Sequence, residues 1–153
     1  MFSKVYSGGL RGIDGYVVQV EADVSDGLPG FYMVGSLASE VREAEERVRT
    51  AMRNAGFHLS ARKITVNLSP ANVRKEGTAC DLPVAIAVLA AYGIVMPSGL
   101  KQTGFLGELG LDGKIKPVRG VLSMVLAMAE KGLERCFLPE ENVAEGMAAD
   151  CME

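Results

Sequence analysis

An α+β fold, one mixed sheet with helices mainly on one face, is predicted for this chain of 153 residues by three observations. Apolar and polar residues alternate along Tyr16–Val24 and again along Arg62–Leu68, the period of half-buried strands. Residues 37–55 carry apolar side chains at steps of three and four, the period of an amphipathic helix. Residues 81–92 have no polar face at all, which predicts a helix buried on every side. In chain order the elements read β-β-α-β-α-β-β-α-β-α, which layers helices against a single sheet. No repeat, low-complexity run or linker interrupts residues 1–153, so they form one domain.

Each element has its own justification. Met1–Tyr6 is expected as an edge strand, and Val18, Val20, Ala22 and Val24 form the inward side of the next one. Ser25–Gly30 is turn chemistry, so Phe31–Val34 reads as the returning strand. The helix over 37–55 is capped by Ser36 or Ser39 and stopped at Gly56, with Glu43→Arg47 and Glu45→Arg49 pairs on its outer face. Asp81 is the expected N-cap of the apolar helix, Pro83 fits its first turn, and Gly93 ends it. Phe105–Leu109 and Lys114–Lys116 flank Asp112-Gly113, a strong hairpin signal. A Met- and Ala-rich helix over 119–131, a strand over Arg135–Leu138 and a helix over Glu140–Ala148 complete the series. The ending at Asp150–Glu153, where a further element is expected, predicts an N-terminal fragment of a longer protein.

The composition excludes several function classes. The chain is 48% hydrophobic and 23% charged, ordinary for a soluble domain, and its net charge of −3 argues against wholesale phosphate neutralisation. Three cysteines without CxxC spacing and one histidine, His58, supply no metal-ligand set, and they fit a reduced, cytoplasmic protein. The longest apolar run, Leu82–Ala91, is half the length needed to span a bilayer, and no secretory signal opens the chain.

The residues with chemical potential have simple structural readings. A Walker phosphate loop fails because five residues separate Gly107 from Gly113 and Lys114 precedes Ile115. Cys80 precedes a helix start that could lower a thiol pKa, but Asp81 opposes a thiolate and no imidazole is placed nearby, so an inert, buried cysteine is expected. Glu76, Asp81, Glu108 and Asp112 are carboxylates that nothing forces into a pair. Arg62, Lys63, Arg74 and Lys75 are read as a local basic cluster, either plain solvated surface or contacts for DNA or an acidic partner. Arg42, Arg49 and Arg53 offer a second basic face, interleaved with acidic residues.

Two stretches carry a family resemblance. Lys75-Glu-Gly-Thr-Ala-Cys-Asp-Leu-Pro83 and Gly107–Gly120, with Leu138-Pro-Glu-Glu-Asn142, resemble the Lon-protease-type domain and the C-terminal domain of the RadA recombination ATPases. With Gly27-Leu-Pro-Gly-Phe31, Val41-Arg-Glu-Ala44 and Ile64-Thr-Val-Asn-Leu-Ser-Pro70, the resemblance covers nearly the whole chain. It is to the N-terminal domain of the ComM/YifB family of magnesium chelatase-like AAA+ ATPases.

That resemblance implies a fold like the second domain of ribosomal protein S5. It also implies an ATP- and Mg2+-dependent motor outside these residues, with no cofactor in this domain. The implied partners are DNA and further copies of the protein in a hexamer, the implied role is recombination during natural transformation, and no membrane is involved. It places the Lon-type nucleophilic serine at Ala79, beside Cys80 and Asp81, and the general-base lysine at about Leu122. Neither Ala79 nor Leu122 can do that work, so the implied catalytic residues are none. Three readings stand: a non-catalytic domain for assembly or DNA engagement, a cryptic Lon-type peptidase, and a protein–protein docking module.

Overall fold

The computed structural model describes residues 1–153. Its strands are β1 (Phe2–Arg11), β2 (Asp14–Ser25), β3 (Gly30–Val34), β4 (Lys63–Ser69), β5 (Thr103–Phe105), β6 (Glu108–Leu109), β7 (Ile115–Lys116) and β8 (Arg135–Phe137). The helices are α1 (Ser39–Arg42), α2 (Ala44–Asn54), α3 (Asp81–Ala91), α4 (Val121–Glu130) and α5 (Val143–Met147). Six strands form one sheet in the order β3-β4-β2-β1-β5-β8, and β6 and β7 form a separate hairpin. The β3–β4, β1–β5 and β5–β8 pairs are parallel, and β1–β2 and β2–β4 are antiparallel. The mixed α/β class read from the sequence is therefore the one observed.

Two expected strands change place. The first is not an edge: β1 runs to Arg11 and lies between β2 and β5, near the sheet centre. Nor does β3 return along β2; it lies parallel to β4, with Phe31 opposite Ile64, and forms the outer edge. Phe105 belongs to the main sheet as the end of β5, so only Glu108–Leu109 pairs across the Asp112-Gly113 turn.

Alternation assigns the faces. Val5, Val18, Val20 and Val24 point to a core of 26 buried residues beneath α1–α3, whereas Tyr6, Leu10 and Val17 point the other way, to six buried residues centred on α4. The larger core thus sits on the predicted face, and α4 adds a smaller one behind the sheet. Glycine permits that second layer. A Cβ on Gly15 would lie 2.2 Å from the Ser123 carbonyl oxygen, and one on Gly8 would lie 2.7 Å from Met124 Cβ. The helix rests directly on backbone there.

The predicted long helix divides at Glu43 into α1 and α2, and no serine caps it; Ala38 is the N-cap of α1. The apolar helix α3 matches its predicted bounds to within one residue and is buried along nearly its whole length. It closes in a Schellman turn, Gly93 N–H donating to Ala90 O and Ile94 N–H to Leu89 O, each at 2.9 Å, with Gly93 at φ +82°. Asp81 is not its cap: Cys80 holds that position and Asp81 is the first helical residue, its carboxylate turned elsewhere.

Candidate functional site

The two motif stretches meet in space. Gly107 N–H donates to Ala79 O and Leu82 N–H donates to Gly107 O, each at 3.0 Å, zipping the start of α3 to the segment that leads into β6. Asp81 completes the join. Its carboxylate accepts the Leu109 N–H at 3.1 Å and two guanidinium bonds from Arg47, at 2.6 and 2.9 Å. Asp81 is 1% exposed, so this is a buried bidentate ion pair tying α2, α3 and β6 together. Burial raises its carboxyl above the ordinary value, while the bonds from Arg47 and Leu109 pull in the opposite direction.

Arg47 was assigned by sequence to a surface pair with Glu43, and that pair does not form; Glu45–Arg49 does, at 3.0 Å. A signal for the inward Arg47 existed. It lies three residues after Ala44 and four before Ala51, in register with the apolar stripe.

The four-residue basic cluster is not a cluster. Arg62 and Lys63 sit at the start of β4, and Arg74 and Lys75 come after its end, at the far end of the strand. Arg62 lies 3.7 Å from the exposed Asp26, Lys63 stands over the Tyr32 ring, and Arg74 reaches Glu76 at 4.0 Å. Lys75 is 2% exposed and donates its ammonium protons to Gly35 O and Pro70 O. Its backbone also bonds, through N–H to Ser36 O and through O from Ala38 N–H, so it is a buried strut and not a surface contact. Nothing in the polar run 74–76 signals this, because a three-residue polar stretch shows no period.

The positions of the implied dyad are chemically silent. Ala79 packs against the α4 core and borders a cleft of about 200 Å³ shared with Glu76, Thr78, Arg119 and Met124. Leu122 is exposed and outside that cleft; its N–H donates to Glu145 at 3.0 Å. Cys80 is buried with Sγ 3.6 Å from the Ser7 hydroxyl, and burial pushes its pKa up to about 11. Its thiolate is scarce at neutral pH, which disarms the nucleophile. Cys80 is therefore expected to react with a thiol reagent far more slowly than the exposed Cys151, as read by site-resolved mass spectrometry. The glycines near 107–113 spend their amides internally, Gly110 N–H on Lys114 O and Gly113 N–H on Gly110 O, so they cradle no phosphate. No helix is long and apolar enough to cross a membrane.

The two motif stretches, joined through Ala79, Asp81 and Gly107, are the part of the fold on which a comparison with known proteins bears. The family model described as subunit ChlI of Mg-chelatase matches residues 20–142, and the chain belongs to that family. It is 43% identical over 141 residues to competence protein ComM of Haemophilus influenzae, covering 92% of this chain and 28% of ComM. To the uncharacterized protein YifB of Escherichia coli it is 40% identical over 143 residues, covering 94% of this chain and 28% of YifB. A Lon protease of Mycolicibacterium smegmatis is 28% identical over 142 residues, 87% of this chain and 18% of the protease, consistent with the Lon-like fold. The chain thus spans under a third of the length of these relatives.

Proposed function

We propose that this chain is the non-hydrolytic N-terminal domain of a ComM-type, magnesium chelatase-like AAA+ ATPase and DNA helicase. It serves ring assembly or DNA engagement in cytoplasmic recombination during natural transformation. The observation that carries this reading is the match to ComM over 92% of this chain; the resemblance, which puts the Lon-type serine at Ala79 and the lysine at about Leu122, supports it. ATP and Mg2+ belong to the portion of the relatives that this chain does not cover, and a homo-hexamer forms through that portion. Removing both members of a nucleophile–base pair abolishes hydrolysis while leaving the packed frame as a rigid mount.

The test uses the full-length protein. DNA-stimulated ATP hydrolysis, with no digestion of unfolded casein, is the expected result. Casein cleavage by the purified chain would establish the peptidase alternative instead, and ATP hydrolysis indifferent to DNA would leave the docking module.

A further inference from the structure

A second cleft, which shares no lining residue with the one at Ala79, has different chemistry. Between the C-terminal half of α2, the 57–62 segment and the start of β4 lies a cavity of about 440 Å³. Arg49, Arg53 and Arg62 border it, with Phe31, Phe57 and Tyr92 as its aromatic walls, and no carboxylate lines it. In a chain of net charge −3, three guanidiniums around one apolar hollow concentrate positive potential locally.

The side chains there are unequally engaged. Arg49 is held by Glu45 at 3.0 Å and lies 5.7 Å from the Phe31 ring centroid, so it forms part of the wall. Arg62 has only the 3.7 Å approach to Asp26, which is itself exposed, and Arg53 has no ion pair. Tyr92 donates its hydroxyl to Ser60 O at 2.7 Å, which fixes the ring against the 57–62 segment. Phe57 stands partly exposed at the mouth. The result is an aromatic slot with two exposed, planar cations at its rim, Arg53 unpaired and Arg62 approached only by the exposed Asp26.

We propose that this cleft binds single-stranded nucleic acid, one base entering against Phe57 and Tyr92 while Arg53 and Arg62 take the flanking phosphates. Guanidiniums suit phosphate oxygens through bidentate bonds, and aromatic faces accept any base by stacking. A cavity of this volume accommodates one nucleobase. A duplex keeps its bases stacked and would have to flip one out, so the single strand is the favoured ligand. The inference deepens the DNA-engagement reading above by assigning it a site and a strand preference.

Fluorescence anisotropy with a labelled oligo-dT on the order of 15 nucleotides tests it, with the matching duplex and dTMP alone as further probes. The parent is expected to bind the single strand at least tenfold more tightly than the duplex or dTMP. Phe57→Ala weakens the strand roughly tenfold. Each of Arg53→Gln and Arg62→Gln reduces the salt slope by about 0.7 as one phosphate contact is lost. The two arginine side chains are exposed, so their variants keep the parent melting profile, and Lys101→Gln, outside the cleft, leaves binding unchanged. Strand binding that survives the Arg53→Gln/Arg62→Gln double substitution overturns the site while leaving DNA engagement standing. Equal affinity for dTMP, a preference for duplex, or no strand binding overturns the inference outright. The wider reading is judged separately, by DNA-stimulated ATP hydrolysis in the full-length protein.

Discussion

Replacing Arg47 by methionine is expected to cost about 3–5 kcal/mol of stability at neutral pH, the range for stranding one member of a buried ion pair. The partner left behind, Asp81, is 1% exposed and keeps a single protein donor, the Leu109 N–H. Three elements lose their shared fastener, since Arg47 lies on α2, Asp81 on α3 and Leu109 on β6. Urea unfolding followed by circular dichroism measures the loss.

The pH dependence is a second signature. Burial already raises the Asp81 pKa above 3.8, and losing Arg47 removes bonds and charge that opposed the rise. A carboxyl with a raised folded-state pKa holds its proton more tightly in the native state. Its stability penalty therefore grows as pH rises from 3.8 through the folded value, and is relieved on acidification. Arg47→Met is accordingly expected to recover part of its deficit as pH falls from neutrality toward 3.8. Adding Asp81→Asn removes the stranded charge while keeping an acceptor for Leu109, and restores most of the loss. A single variant as stable as the parent at pH 7 would show that the pair contributes little.

Lys75→Met is expected to cost about 2–5 kcal/mol, because two carbonyl oxygens, Gly35 O and Pro70 O, lose their only side-chain donor while the volume stays filled. Gly35 offers no easy relief: a Cβ there would lie 2.2 Å from Leu68 O, so this backbone is pressed against β4. The main-chain bonds of Lys75 to Ser36 and Ala38 survive, so the damage centres on the ammonium. Burial lowers the Lys75 pKa below 10.5. The parent thus regains stability from this group as pH climbs from the lowered folded value toward 10.5, and the methionine variant lacks that gain. The difference in unfolding free energy between the two proteins, followed across alkaline pH, reads this directly. Binding of DNA at other sites is expected to be unaffected, since the side chain never reaches the surface.

What could be read in advance was what short-range pattern encodes. Strands β2 and β4 announce themselves by clean alternation, α3 by its uninterrupted apolar run, and the β6–β7 hairpin by Asp112-Gly113. β1 runs five residues past the Met1–Tyr6 expected from the sequence, through Gly8, whose missing side chain leaves room for Met124 against the strand. Parallel pairing of β3 with β4 was illegible, since the turn at Ser25–Gly30 is equally compatible with a hairpin and only tertiary packing decides. At the candidate site the motif stretches identified Ala79 and Asp81, but not the partner of Asp81. A charge satisfied across 34 residues of sequence leaves no local trace beyond the register of Arg47 with its apolar neighbours.

The place of β1 constrains synthesis as well as structure. Its hairpin with β2 can close once residue 25 has emerged from the ribosome, yet its other flank waits for the pairing of Tyr6 with Gly104. Until then the nascent chain displays a row of open amides and carbonyls along what becomes an interior seam. Delay in making the C-terminal third therefore leaves a sticky intermediate, prone to capture by neighbouring chains.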